Sequence, residues 1–314
     1  MRRTRLLAGA LTASLALLAA CGYDATTVPE TKPSASSPSG SPTTDPVECS
    51  NATESYRSSS DRAAAVRELK NRNLLVVGVS ADTLKLGSAN PFDKFAIQGF
   101  DIDVAEAIAK ELGVKLRLRV ITAADRIKLL KSGEIDLVVR NMTMNCARWE
   151  EIGFSEVYYN AAQKVLVRAD DVAAFEKTGV KSLAKKKVCA PTGSTSLDNI
   201  KSIESTAIAV GAANHTGCLV LFQQGAVDAI TGDDTVLAGL AAQDPYAKVP
   251  DQDGLSQEPY GVGVAKENVD LIRYINSVLD RRRNNGDWQS SYDTWLKPYL
   301  KDKNPPPAPT KFRG

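Results

Sequence analysis

The chain has one histidine, His215, and none of its cysteine or histidine spacings matches a zinc pattern, so the sequence calls for no metal and no cofactor. Charge of one sign is also missing. The 39 Lys and Arg nearly balance 37 Asp and Glu, leaving a net charge of +2. With no basic patch interleaved with aromatics, nucleic acid is excluded as a partner. Nor is there a convincing membrane span, since the apolar run Leu6 to Ala20 is too short for one. What is present, 314 residues at 43% hydrophobic and 24% charged, suffices for a sizeable core and, by length, two globular units.

The short apolar run reads as an export signal over residues 1–20. Arg2, Arg3 and Arg5 form its charged head, and it ends in Leu18-Ala19-Ala20-Cys21. An ordinary signal peptide with an incidental cysteine is one reading. Small residues directly before a cysteine resemble a lipobox, and that reading is adopted: Cys21 is lipidated and anchors the protein to the extracellular face of the cell membrane. Residues 21–48 then serve as a leash, because PSASSPSGSPTTDP holds almost nothing apolar to pack. Four cysteines remain, Cys49, Cys146, Cys189 and Cys218. In an oxidising compartment an even number favours two disulfides, with three pairings open.

Periodic segments then alternate. A helix pattern over 61–72 precedes a continuous apolar strand at 74–79 and a long irregular stretch over 80–97. Helix 105–112, strand 115–120, helix 123–131 and strand 135–139 follow, completing the β-α-β-α-β order of a parallel α/β lobe. Strand 164–168 leaves that lobe. A second α/β pattern places strands near 188–190, 207–210 and 226–231, with helices from 197 and over 216–224. A strand at 260–264 and helices at 271–283 and 288–296 close the folded part. The Pro-rich tail, 301–314, is expected to be disordered.

The stretch Arg140 to Tyr159, RNMTMNCARWEEIGFSEVYY, carries the chemistry. A strand ends here in a loop of hydroxyl and amide side chains, and an arginine follows. Backbone N–H groups, a Thr hydroxyl and a guanidinium fork together satisfy most lone-pair sites of a carboxylate. Taken alone, Arg148 reads more plainly as a solvated surface charge. The stretch, however, resembles the (S/T)-x-T-x-x-R loop, followed by F-S-x-x-Y, of the extracellular solute-binding proteins of family 3, amino-acid receptors that feed ABC transporters. Here it reads Thr143-Met144-Asn145-Cys146-Ala147-Arg148 and Phe154-Ser155-Glu156-Val157-Tyr158, with Asn145 replacing the usual second Thr.

Four further segments are similar to that family: Gly99-Phe100-Asp101-Ile102-Asp103, Asp228 to Asp233, Tyr260 to Val264, and the G-x-W…W of Gly286, Trp288 and Trp295. The resemblance spans about Leu74 to Leu300. It implies a type II periplasmic-binding-protein fold, two α/β lobes joined by a two-crossing hinge. The first lobe would be 49–166 with 260–300, and the second 167–259 inserted between them. It also implies a receptor, expected to be a monomer, that binds an amino acid between the lobes and delivers it to an ABC transporter permease; Cys21 adds the membrane anchor.

By the same resemblance, Arg148 is the carboxylate fork, a role that suits arginine better than lysine. Thr143 adds a hydroxyl donor, with backbone contacts around Asn141 and Thr143, although a Thr at a strand end can simply cap a turn. From the second lobe, Thr192 to Ser196 open a helix whose free N–H groups suit an anion. Thr195 is the expected contact there, and an ordinary N-cap is the alternative. Asp233 takes the ammonium, Asp234 caps a helix, and Asp228 is structural. Asp101 and Asp103 suit the start of their helix as caps rather than ligands. His215 reads as a surface or capping residue. The aromatic clamp usual after the first strand is missing from Thr83 to Ser88, leaving Leu86 as a substitute.

Arg140 directly precedes the loop. It either pairs with Glu150 or Glu151 or faces the cleft as a second cation, with Lys85 a rival source of that charge. A second buried cation favours a ligand with its own side-chain carboxylate, glutamate or aspartate, over glutamine or asparagine. The alternatives are an amide-binding receptor, a sensor signalling through a membrane partner, and a dehydratase on the same fold. For the last, no acid or base over the substrate is evident, so the chain does not read as an enzyme. A disulfide between lobes would oppose opening. The expected bridges are therefore Cys189–Cys218 in the second lobe and Cys49–Cys146 in the first.

Overall fold

A computed structural model describes residues 51–71, 73–300, 306–308 and 312, all within one compact unit that begins at Val47. Cys21, the leash and Cys49 lie outside the described residues. The first half begins with α1 (Arg62–Glu68), where Asp61 accepts from Ala64 N at 2.9 Å and caps the helix. The apolar run behind it is β1 (Leu74–Val79), buried at five of its six positions. The stretch read as irregular is a small antiparallel sheet of β2 (Asp82–Thr83), β3 (Gly87–Asn90) and β4 (Ala96–Gln98). Then come α2 (Phe100–Leu112), β5 (Lys115–Val120), α3 (Arg126–Lys131) and β6 (Leu137–Val138). Gly99 opens α2 at φ +143°, where a Cβ would fall 2.4 Å from the Leu86 carbonyl oxygen, so only glycine fits.

The pivotal element is long. After α4 (Cys146–Glu151), β7 (Gly153–Arg168) runs sixteen residues, where only 164–168 is expected as a strand from the sequence. It leads to α5 (Val172–Thr178), β8 (Lys187–Pro191), α6 (Thr195–Asp198), α7 (Ile200–Ile203), β9 (Ile208–Ala212) and α8 (His215–Gln223). Next are β10 (Ala229–Asp233), α9 (Asp234–Gln243) and β11 (Ala247–Lys248). The return strand β12 (Ser256–Val264) leads to α10 (Val269–Asn284) and α11 (Asp287–Trp295).

One sheet orders these strands β5-β1-β6-β12-β7-β10-β8-β9, with β11 on β7. Its two ends are parallel, β5-β1-β6 and β10-β8-β9, and their inner strands β1, β8 and β10 are the apolar, nearly fully buried ones that a covered parallel sheet requires. The middle is an antiparallel pair. Residues 153–157 of β7 match Gly261–Val264 of β12 in the first half, while Gln163 matches Ser256 in the second. The chain thus crosses between halves twice, and the register shifts at Tyr260/Gly261 and Gly261/Gly263 fall where it does so.

Separate cores follow from this topology. Around α2, α10 and α11, Phe100, Tyr158, Tyr159, Tyr260 and Trp288 pack with the apolar faces of β1 and β12. The second half packs Cys189, Cys218, Leu219, Phe222, Ile230 and Leu237 on one face of its sheet. On the first half, Trp149 Nε1 donates to Ala52 O at 2.7 Å and Ser55 Oγ to Phe154 O at 2.8 Å, holding the N-terminal segment against α4 and β7. Phe312, in the tail expected to be disordered, pairs with Ser55, and Arg57 lies 4.6 Å over its ring.

Candidate functional site

Parallel α/β strands gather ligand sites at their C-terminal ends. Here β6 delivers Arg140 to Thr143, β8 delivers Thr192 to Thr195, and β10 ends in Asp233. The loop after β6 lies along β12: Thr143 bridges Tyr260, Met144 N donates to Pro259 O at 2.8 Å, and Gly261 N to Met142 O at 3.1 Å. Asn141 adopts φ +34°, and its N–H donates to Asp101 Oδ2 at 2.9 Å. Asp101 is buried and also accepts from Tyr158 at 2.9 Å. Burial lifts its pKa to about 6 against those two hydrogen bonds. Asp101 is therefore a buttress of the loop, not the helix cap expected of it; α2 has no side-chain cap. Asp103 accepts from Trp295 Nε1 at 2.9 Å and from Ser291 Oγ, tying α11 to α2.

Arg126, Arg140 and Arg148 are 3%, 5% and 8% exposed, and no ion pair holds any of them among the described residues. Burial lowers the pKa of each below the usual arginine value, and that of Arg126 well below it. Their partners are carbonyl oxygens. Arg148 donates to Thr143 O at 2.6 Å and Gly193 O at 3.4 Å; Arg126 donates to Ala123 O at 2.9 Å and Gly193 O at 3.1 Å. Arg140 Nε is buried with no partner at all. Arg140 lines the cleft; of its two expected carboxylate partners Glu151 pairs with Lys131 at 3.1 Å, and no ion pair joins Arg140 to Glu150 among the described residues.

Opposite the arginines sits Asp233. Tyr260 donates to its Oδ2 at 2.6 Å, while Oδ1 is buried with no hydrogen bond of normal geometry and the Asn141 side chain nearby favours the charged form. Burial and then the charge of Glu258 push the Asp233 carboxyl up to about 8, partly opposed by Tyr260. Thr143 and Thr195 both donate to Glu258 Oε2, at 2.6 and 2.8 Å. Arg126, Arg140, Asn141, Thr143, Thr195, His215 and Asp233 thus line one narrow cavity.

Every residue expected in the site except Arg148 lines that cavity, and Arg148 lies behind it, holding Thr143 O and Gly193 O. Other expectations need correction. The helix at Thr195 is only four residues long and is capped by Ser194, which accepts from Leu197 N at 3.2 Å, so it offers no extended anion site. Asp234 is the first residue of α9 and not its N-cap, a position Asp233 holds, although its Oδ1 accepts from the first-turn Thr235 N at 2.7 Å. His215 is not a surface residue. Asn214 caps α8, and the His215 ring packs in the cleft, with Nε2 3.3 Å from Thr231 O. Burial and nearby Arg140 hold it neutral, down to about 4. Lys85 is no rival cation, since it lies over the Trp295 and Tyr299 rings at 5.8 and 5.1 Å. Leu86 is fully buried in the core and replaces no clamp. Asp228 is structural as expected, accepting from Lys187 N at 2.8 Å.

Sequence reasoning missed Arg126 and Glu258. Arg126 had a signal: a cation in the first turn of a helix opposes the helix dipole, so something else must hold it there. Glu258, two residues before the Tyr260 strand motif, had none. Cys189–Cys218 is a disulfide with Cα atoms 5.6 Å apart, as expected. Cys146 is disulfide-bonded as well, and its expected partner Cys49 lies outside the described residues.

Residues 75–298 match the model of the bacterial extracellular solute-binding proteins, family 3. The chain belongs to that family. It is 33% identical over 252 residues to the ABC transporter glutamine-binding protein GlnH of Bacillus subtilis, covering 79% of this chain and 89% of that one. It is 28% identical over 235 residues to the glutamate-binding protein GluB of Corynebacterium efficiens, 70% and 78% of the two chains. Among solved structures, a mutant of the arginine-binding protein ArgBP from T. maritima superposes with a TM-score of 0.68 at 30% identity, over 74% of this chain and 99% of that one. The fold is accordingly that of these extracellular receptors, and the chain is a binding protein rather than an enzyme.

Proposed function

We propose that this amino-acid receptor of an ABC importer takes an acidic amino acid, glutamate or aspartate, between its two halves. The observation that carries the reading is the trio of buried arginines with no carboxylate partner among the described residues. Buried guanidinium groups left unpaired are costly, and one α-carboxylate occupies only one fork. A side-chain carboxylate supplies the second anion, and Arg140 with its orphaned Nε is the group it would meet. Arg148 fixes the loop, Arg126 reinforces the positive potential, and Asp233 faces the ammonium.

The two crossings by β7 and β12 support a hinge, with lobes of 49–166 plus 260–300 and of 167–259 closing by rigid-body rotation. Cys21 after its apolar run supports lipid anchoring, with 21–48 as the leash. Glutamine or asparagine is the second reading. An amide oxygen can accept from Arg140 Nε, and the Bacillus subtilis relative is named for glutamine. Calorimetry of ligand-stripped protein against the amino acids decides. Tighter binding of glutamate or aspartate than of their amides is expected, and the reverse order would replace the acidic reading with the amide one.

A further inference from the structure

We propose that Glu258 is a positioning residue: it takes the hydroxyl protons of Thr143 and Thr195 and so turns that corner of the cleft into a receptor for the ligand's ammonium. This rests on the reading that an amino acid occupies the cavity. Glu258 lies on β12, 2% exposed, and sits behind the cavity rather than lining it. Its Oε2 accepts from Thr143 Oγ1 at 2.6 Å and from Thr195 Oγ1 at 2.8 Å, while Oε1 accepts from Ser256 Oγ at 2.6 Å. One threonine comes from each half of the molecule.

A hydroxyl has one proton and two lone pairs. With both protons committed to Glu258, Thr143 and Thr195 offer a ligand lone pairs only. Two further acceptors line the same cavity, Asp233 Oδ1 and Asn141 Oδ1, each buried with no hydrogen bond of normal geometry, although the Asn141 side chain stands close enough to Asp233 to favour its charged form. An ammonium brings three donors and no acceptor, and once Asp233 gives up its proton it matches this set; a carboxylate placed here would meet lone pairs at both threonines. The carboxylates fall to the arginine side instead. Thr143 is then an acceptor for the amine, the opposite of the donor role its motif position suggests.

The test compares glutamate with glutarate, the same diacid without its amine, by calorimetry on the wild type, Glu258→Met and Glu258→Gln. Should the wild type prefer glutamine, the pair becomes glutamine and 4-carbamoylbutanoate; that outcome alone would retire the acidic reading and leave this one standing. Glu258→Met frees both threonine protons, so the preference for the amine-bearing ligand should fall about tenfold or more, the scale of a lost hydrogen bond to a charged group. Glu258→Gln keeps one acceptor oxygen for the threonines and can turn its NH2 to Ser256, so it should hold the preference within about threefold of wild type. Thr195→Val, nearly isosteric, should lower the preference too, and it carries the test if Glu258→Met fails to fold by circular dichroism. An unchanged preference in Glu258→Met or, failing that, in Thr195→Val overturns the proposal. So does tighter glutamate binding in Glu258→Met, the outcome if Glu258 competed with the ligand carboxylate for those protons. Glu258→Gln behaving like Glu258→Met would show that charge, not orientation, is what matters.

Discussion

Tyr260 donates its phenol proton to Asp233 Oδ2 at 2.6 Å, and both residues are buried, Asp233 at the end of β10 and Tyr260 within the crossing strand β12. The bond favours the charged carboxylate, yet burial and the charge of Glu258 outweigh it and lift Asp233 to about 8. Below that pH Asp233 holds a proton that a ligand ammonium must expel. Affinity for an amino acid should therefore rise from about pH 6 to about pH 8, approaching tenfold per unit, then level off. Calorimetry in buffers of different ionisation enthalpy should detect nearly one proton released per ligand at neutral pH. Asp233→Asn should flatten the profile. Binding with no proton release would remove Asp233 from the partners of the ammonium.

The same group sets a slope in stability. Between its unfolded value of 3.8 and its folded value of about 8, the folded chain holds a proton that the unfolded chain has lost. The unfolded state binds fewer protons in that window, so stability of the ligand-free protein falls as pH rises through it. Urea titrations should find Asp233→Asn gaining on the wild type between pH 5 and pH 8. Parallel curves for the two proteins would contradict the shift.

Arg140 and Arg148 should separate by substitution. Arg148→Ala is expected to abolish binding of every amino acid alike, because its fork also holds Thr143 O and Gly193 O. Arg140→Ala should cost glutamate about 2–5 kcal/mol, as loss of one partner of a buried charge pair does, and cost glutamine less. Equal losses for both ligands would detach Arg140 from the side chain of the ligand.

What the sequence revealed of this fold follows from periodicity. The parallel strands β1, β5, β8 and β10 and helices α2, α8, α10 and α11 announce themselves by apolar runs and caps, within a few residues of their observed bounds. The crossing pair did not. Residues 153–159 of β7 are buried on both faces and so show no alternation, and their partner lies about a hundred residues on in β12. Cavity-lining residues were legible where chemistry and motif position coincided, as at Thr143 and Asp233, whereas Arg140 stood outside the motif with two roles open. Arg126 belongs to no motif, and Glu258 is tied to the site only through threonines that the fold brings together from 52 residues apart. No local pattern encodes such a meeting.

The Cys189–Cys218 bridge closes a loop of 29 residues between β8, which leads to Thr195, and α8, which carries His215. Replacing both cysteines with alanine should cost about 3–4 kcal/mol by the chain-entropy relation. Guanidinium titrations of the two proteins measure this, and a loss below about 1 kcal/mol would mean that packing alone fixes these elements. In the oxidised protein, non-reducing peptide maps should place Cys146 with Cys49. Recovery of Cys146 with Cys189 or Cys218 would contradict both assignments.

Gly193 is one of the contact points of the two halves. Its carbonyl oxygen accepts from Arg126 and Arg148 of the first half, and its φ of +77° lies in the region that disfavours a side chain. A Cβ added there would come within 2.9 Å of Ala124 Cα, a backbone atom that has no rotamer to yield. Gly193→Ala therefore acts twice. The left-handed backbone costs roughly 1–2 kcal/mol of folding stability whatever the ligand. In the proposed closing motion the contact with Ala124 forms as the halves meet, so it should weaken ligand binding by about tenfold more, a loss of some 1.4 kcal/mol. Small-angle scattering should then find the variant less compact than the wild type under saturating ligand, with both alike when ligand-free. Wild-type affinity together with the expected loss of folding stability would mean that the halves already meet without ligand, and that binding does not close them.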